Sequence, residues 1–497
     1  MDTTLRDGEQ TSGVAFSSLE KLTIAQILLT EVGVDRIEIA SARVSEGELD
    51  AVKKITKWAE DQKLLDRIEV LTFVDGDISI NWMLKAGAKV MNLLTKGSLN
   101  HLTHQLKKTE AQHFKEVAEV IEKANKAGIS CNVYLEDWSN GMHNSPDYVI
   151  RFIDFLSTQP IKRVLLPDTL GVLIPAETFE YLSLLINKYP LIHFDFHGHN
   201  DYDLGTANAL EAVKAGVKGL HLTVNGMGER AGNAPLASVI AVLNDYVKDV
   251  ETNIDERALY NVSKLVETFS GFRIPANKPI VGENVFTQTA GIHADGDKKN
   301  GLYFNKLLPE RFGRQRSYAL GKMSGKANVE NNLKELGIFL PDEDLKKITK
   351  RIIELGDRKE VVTQADLPYI ISDILDNEDI DEKIKIISYV LTHAKDLKPS
   401  ASLKVSILNE VFEEQSNGDG QYDAFMNALK KVYEHKGMEL ATLTDYNVHI
   451  PPGGKSDALC ETIITWMKNG REFKTHGLDS DQTVSAIKAT QKMLNII

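Results

Sequence analysis

The feature that most narrows how this chain can fold is a pattern repeated through its first half: an amphipathic helix closes on glycine and runs within two or three residues into an apolar strand. It occurs as Glu31-Val32-Gly33 before Asp35 to Ile39, and as Lys85-Ala86-Gly87 before Lys89 to Leu94. It recurs as Lys126-Ala127-Gly128 before Ser130 to Tyr134, and as Lys214-Ala215-Gly216 before Leu220 to Thr223. Glycine in that place predicts the left-handed residue that ends a helix. Strands are expected at 2–5, 35–40, 67–74, 89–95, 130–136, 163–167, 193–199 and 219–224, with helical periodicity such as Leu22, Ala25, Leu28, Leu29 and Val32 between them. Eight strand–helix units over about 270 residues is the count of an α/β protein of the (β/α)8 TIM-barrel class, so residues 1–270 are read as a barrel domain.

A TIM barrel carries its chemistry at the carboxyl ends of its strands. Polar residues fall there: Arg6 and Asp7 after the first expected strand, Glu38 on the second, Glu136 after the fifth, Thr169 after the sixth, and Asn233 in the loop after the eighth. His197 and His199 lie on the seventh, two apart, so they share a face and can aim two imidazoles at one metal ion. Glu38 alternates with Ile37 and Ile39 and is expected in the barrel interior, where it needs a cation. Arg6 on the neighbouring strand is the obvious one.

A net charge of −13 gives no long-range attraction for nucleic acid or an anionic membrane. Two cysteines, Cys131 and Cys460, make no disulfide framework, and no signal peptide or membrane-length apolar run is present, so a cytoplasmic protein is expected. At 497 residues the chain exceeds one barrel. Residues 271–377 are irregular and then helical, with basic residues at Lys298, Lys299, Lys306, Arg311, Arg314, Arg316, Lys322 and Lys326. These form either a solvated or docking face or a site for an anion such as a coenzyme phosphate. Residues 378–497 read as an α+β region of two similar halves. Each has alternating strands (Leu403 to Ile407; Thr462 to Trp466) and then one amphipathic helix (Tyr422 to Glu434; Asp481 to Leu494), which suggests ligand sensing or dimerisation.

The runs Asp2 to Gln10, His197-Gly198-His199-Asn200-Asp201 and Asn225 to Ala234 resemble signatures of the α-isopropylmalate, homocitrate and citramalate synthases, metal-dependent TIM-barrel enzymes that condense an acyl-CoA with a 2-oxo acid. The resemblance runs the whole length. Thr289 to Gly296 and Leu320 to Lys326 look like that family's linker subdomains, whereas Asp419 to Ala424 and Ile450 to Lys455 look like its amino-acid-sensing regulatory domain. The run Asn132 to Gly141 is most similar to the (R)-citramalate synthases, which join pyruvate to acetyl-CoA. Relatives carry several residues before the first motif. Here it begins directly after Met1, so either the start lies upstream or the first strand lacks its amino end.

The resemblance implies a divalent ion (Mg, Mn or Zn) held by Asp7, His197, His199 and Asn233, with Arg6, oriented by Glu38, facing the developing oxyanion and Thr169 holding the substrate carboxylate. Glu136, His293 and Tyr303 all stand as candidates for the base that deprotonates acetyl-CoA, the last two reaching the site from the partner in a homodimer. The loop Gly226-x-Gly228 is read as backbone space for coenzyme or metal. Leu71, Leu94 and Tyr134, at three adjacent strand ends, leave room for a methyl but not an isopropyl group, which favours pyruvate over the 2-oxoisovalerate of a 2-isopropylmalate synthase. The implied feedback effector is isoleucine, placed near Tyr422, Asp423, Tyr446 and Ile450. A lyase or retro-aldol barrel and a non-enzymatic amino-acid sensor are the rival readings.

Overall fold

The computed structural model describes residues 1–248, 250–297, 299–357, 362–375, 384–449, 460–468 and 470–496. The chain divides into two compact units, Met1–Phe286 with Phe304–Arg316, and Thr287–Tyr303 with Ser317–Ile497.

The first unit is a barrel. Its parallel strands follow chain order: β1 (Ile37–Ser41), β2 (Ile68–Phe73), β3 (Val90–Lys96), β4 (Ser130–Glu136), β5 (Arg163–Asp168), β6 (Phe194–Gly198) and β7 (Gly219–His221). Gly33, Gly87, Gly128 and Gly216 all have positive φ, as the repeated pattern predicts. The expected strand at 2–5 is a correction, because only Asp2 pairs, bridging Ile37 on one side and Leu222 on the other. Asp2 N donates to Arg36 O, Glu38 N to Asp2 O, and Thr3 N to Leu222 O, so residues 1–3 occupy the eighth position and join the two edges of the sheet. The strand goes no further because Thr3 O accepts from Arg6 N, Asp7 N and Gly8 N, which turns the chain at once. The carboxylate of Asp2 fixes that turn through Thr4 N and the Thr4 hydroxyl.

Alternation sorts each strand between two layers. Ile37 and Ile39 join the apolar core with Ile24, Leu28, Val52 and Ile55 of the flanking helices. Each such side chain contributes about 1.5–3 kcal/mol when fully buried. Glu38, between them, is equally buried but has polar partners.

The second unit begins with a short parallel pair, Thr287–Gln288 with Ser317–Tyr318, and helices Lys326–Glu335, Asp342–Asp357 and Leu367–Leu375 that share Val329, Leu333, Ile348, Ile352 and Leu367. The expected doubling follows. Two antiparallel three-stranded sheets, Ile384–Thr392, Ser400–Ile407 and Glu410–Asn417, then Thr442–His449, Cys460–Lys468 and Arg471–Asp479, are each followed by one helix, Gln421–His435 and Gln482–Ile496. Val405, Ile407, Phe425 and Leu429 of the first half share a core with Ile464, Trp466, Ala489 and Met493 of the second.

The described basic residues of 299–326 are taken up locally. Lys299 pairs with Asp295, Lys322 with Asp357 and Lys326 with Asp342. Arg311 pairs with Asp245 and Glu256, Lys306 donates to Asp245 O, and Arg314 donates to Gly282 O. The Arg316 guanidinium lies 4.2 Å from the Phe304 ring centroid. Lys298 lies outside the described residues.

Candidate active site

The turn after Thr3 sets Arg6 and Asp7 beside the end of β6, which carries His197, with His199 just beyond it. Asp7 Oδ2 is 3.0 Å from His197 Nε2 and 3.7 Å from His199 Nε2. These three side chains are buried, and theirs is the one group of three potential ligands among the described residues whose ligand atoms all lie within 4.8 Å of one another. Burial alone would raise the Asp7 carboxyl, but Arg6 and the two imidazoles outweigh it and hold it below the usual carboxylate range. Burial, and then His197, lower His199 to about 4, so its imidazole is neutral near pH 7 and able to ligate. Asn233 bridges His199 through its backbone and donates its Nδ2 to Met227 O at 2.9 Å. Its Oδ1 is buried with no hydrogen-bond partner. Two imidazoles, a carboxylate and an amide oxygen form a donor set that fits a divalent cation.

Arg6 Nε donates to Glu38 Oε2 at 2.6 Å, the partnership expected from sequence. Glu38 also accepts from Thr3 Oγ1 and Asn92 Nδ2. From there the barrel interior is polar. Asn132 Nδ2 donates to Asn92 Oδ1 at 2.8 Å and contacts Glu69 Oε2, and Glu69 pairs with Arg36 and Arg163. Thr3, Asn92, Asn132 and Glu69 were not foreseen, yet Asn92, Asn132 and Glu69 carry the signal that flagged Glu38: a polar residue inside an apolar strand.

A cavity of about 280 Å³ opens over this candidate metal site, lined by Arg6, Asp7, Leu71, Leu94, Tyr134, Glu136, Thr169, His197 and His199, with Gln10, Pro167 and Glu229. Leu71, Leu94 and Tyr134 form with Leu165 an apolar cluster separate from the main core. Glu136 is ion-paired with Lys96, a cation the sequence reading missed, from the neighbouring strand end. Thr169 Oγ1 accepts from Asp137 N at 2.9 Å.

Other expected residues belong to the second unit. His293 and Tyr303 lie there with their ring centroids 4.2 Å apart. Tyr422 and Tyr446 meet with ring centroids 5.4 Å apart, and the Tyr422 hydroxyl bonds Thr490 Oγ1 at 2.7 Å. Asp423 accepts from Asp419 N, just before its own helix, and from Asn427 Nδ2 one turn along it. Ile450 lies outside the described residues. In the loop expected to give backbone space for coenzyme or metal, a Cβ at Gly228 would lie 2.3 Å from Asn233 Nδ2, so that glycine leaves room for the Asn233 side chain. Gly226, Gly228 and Gly232 have positive φ, and a Cβ at Gly232 would lie 1.9 Å from Gly226 O, so the loop's turns also call for glycine.

Three family models cover the chain: HMGL-like over residues 1–266, homocitrate synthase post-HMGL domain-like over 280–360, and LeuA allosteric (dimerisation) domain over 361–497. The (R)-citramalate synthase of Methanocaldococcus jannaschii is 33% identical over 498 residues, 100% of this chain and 98% of that protein. The 2-isopropylmalate synthase of the same organism is 33% identical over 502 residues, 100% of this chain and 94% of that one. Because the likeness spans all three models and both relatives from end to end, this chain belongs to the HMGL-like family of enzymes, in the branch that holds the citramalate and 2-isopropylmalate synthases.

Proposed function

We propose that this enzyme condenses acetyl-CoA with pyruvate to give (R)-citramalate and CoA, a committed step towards isoleucine. The observation that carries the choice of pyruvate is the apolar wall of Leu71, Leu94 and Tyr134 on the cavity that also holds Arg6, Asp7, His197 and His199. Bulky side chains there suit a methyl tail. A 2-oxo acid with a second carboxylate would need a cation among them, and none of these three supplies one.

Asp7, His197, His199 and Asn233 would hold the ion, magnesium, manganese or zinc, which supplies a Lewis acid to the keto group of the 2-oxo acid. Arg6, fixed by Glu38, faces the oxygen on which charge develops; such a preorganised donor contributes roughly 10²–10³ in rate. Thr169 binds the substrate carboxylate. Removal of the acetyl methyl proton falls to Glu136, His293 or Tyr303, and water then hydrolyses the thioester, making the condensation irreversible. For Glu136 that role requires release from Lys96.

We further read residues 1–270 as the catalytic domain, 271–377 as linker subdomains and 378–497 as the regulatory domain of a cytoplasmic homodimer. Isoleucine would bind near the Tyr422–Tyr446 pair.

The competing substrate is 2-oxoisovalerate, because the chain is equally identical to a protein named for each activity. Thiol release from acetyl-CoA, measured as kcat/KM with pyruvate, 2-oxoisovalerate and 2-oxoglutarate, decides between them. Pyruvate is expected to win; a preference for 2-oxoisovalerate would make this a 2-isopropylmalate synthase.

A further inference from the structure

Tyr134 does more than wall the cavity. Its hydroxyl reaches across the barrel interior from β4 to β7 and meets His221 Nδ1 at 2.7 Å. The other ring nitrogen, Nε2, lies 3.0 Å from Asp195 Oδ2, and the same oxygen takes Arg36 Nη2 at 2.7 Å. Tyr134, His221 and Asp195 are at most 2% exposed. None of the chemistry proposed above uses His221 or Asp195, although both are buried polar groups, which are costly to retain without a purpose.

The hydrogen-bond roles follow from the partners. Asp195, paired with Arg36, only accepts, so His221 Nε2 carries the hydrogen. His221 Nδ1 then has a lone pair, and Tyr134 must donate its hydroxyl hydrogen to it. The phenol is therefore fixed at both ends, by its own strand and by a bond to a strand three places away, and its hydrogen is committed away from the cavity.

We infer that His221, held by Asp195, is a positioning residue for substrate selection: it locks the Tyr134 ring in the place that sets the depth of the 2-oxo-acid pocket. This rests on the reading of Tyr134 as the wall of that pocket. The ligand class is a 2-oxo acid with a short apolar tail, and the lock acts by denying the ring the tilt that a longer tail would require. A positioning error at this range changes selectivity between substrates differing by one methylene, a difference worth roughly 10–200-fold.

The test is a double-mutant cycle on a ratio, kcat/KM for pyruvate over that for 2-oxobutyrate. Tyr134→Phe and His221→Phe each keep an aromatic ring and each delete the same hydrogen bond from opposite ends. Each is expected to lower the ratio about tenfold, and the double variant no further than either single one. His221→Gln, whose amide can accept from Tyr134 and donate to Asp195, is expected to restore most of it. A purely structural role would reduce the melting temperature and kcat while leaving the ratio alone. Tyr134→Phe shifting the ratio while His221→Phe does not, or the two shifts adding, would overturn the lock but spare the pocket. A ratio unmoved by either, and also by Tyr134→Ser, would overturn the pocket reading and the lock with it. Should His221→Phe fail to fold, the Tyr134→Phe and His221→Gln pair still decides, since Gln must keep the ratio that Phe at position 134 loses.

Discussion

At His199 the buried imidazole has one use that its surroundings explain. It is neutral near pH 7, stands 3.7 Å from Asp7 Oδ2 and shares a backbone bridge with Asn233. His199→Ala is therefore expected to lose bound metal and at least 100-fold in kcat, since removing a ligand should cost no less than the 10–100-fold typical of its outer-shell supports. Elemental analysis of protein dialysed against trace metal checks it; a variant retaining full metal content would remove His199 from the ligand set. Tyr134→Ser acts in two ways. It deepens the cavity, and it strands His221 Nδ1, at a cost of about 1–3 kcal/mol for an unsatisfied buried acceptor. We expect a preference shifted about tenfold from pyruvate towards 2-oxoisovalerate, together with a lower melting temperature. An unchanged kcat/KM ratio would leave Tyr134 as packing. At this scale the meeting of Asp7, His197 and His199 was legible because two histidines on one strand face beside an Arg-Asp pair serve few other ends. His221 and Lys96 were not, since each is an ordinary residue until a fold sets Tyr134 or Glu136 opposite it.

Elements show where a pattern carries and where it fails. The helix–glycine–strand repeat foretold four of the seven strands, those that follow Gly33, Gly87, Gly128 and Gly216, because its cause is local: a positive-φ glycine ends the helix and an apolar run follows. The strand expected at 2–5 failed for a reason that is also local but sits in hydrogen bonds, three amides returning to Thr3 O. Helix Glu110–Lys126 offers a pH test. Its His113 is fully buried against Phe152, and burial, then Lys108, lower it to about 4. Above pH 6.5 the imidazole is neutral in both folded and unfolded chains and contributes nothing to the pH dependence. Between 6.5 and 4 the unfolded chain takes up a proton that the folded one refuses, so stability falls as pH falls, with a ceiling of about 3 kcal/mol. His113→Leu should flatten that part of the urea-midpoint profile. An identical slope in the variant would assign the acid sensitivity elsewhere.

Across the whole molecule, the doubled βββα arrangement was visible in two alternating runs each followed by an amphipathic helix. The meeting of Tyr422 with Tyr446 was expected only through the family resemblance, because it depends on how two sheets share one core. If residues 378–497 carry feedback, a chain ending at 377 should keep measurable condensation and lose inhibition by isoleucine, as coupling requires an effector that distinguishes two states. A truncated enzyme still inhibited by isoleucine would put the sensor elsewhere. The barrel interior has a different kind of reach. Arg6, Glu38, Asn92, Asn132, Glu69, Arg36, Asp195, His221 and Tyr134 follow one another in an unbroken succession of polar contacts. No member can drift alone without orphaning a neighbour, so the lineage is free to wander at the rim, at Leu71 or Leu94, while its interior changes only by concerted replacement. New substrate preferences in such a barrel should arise from the lip inward, and the floor should keep the record of ancestry.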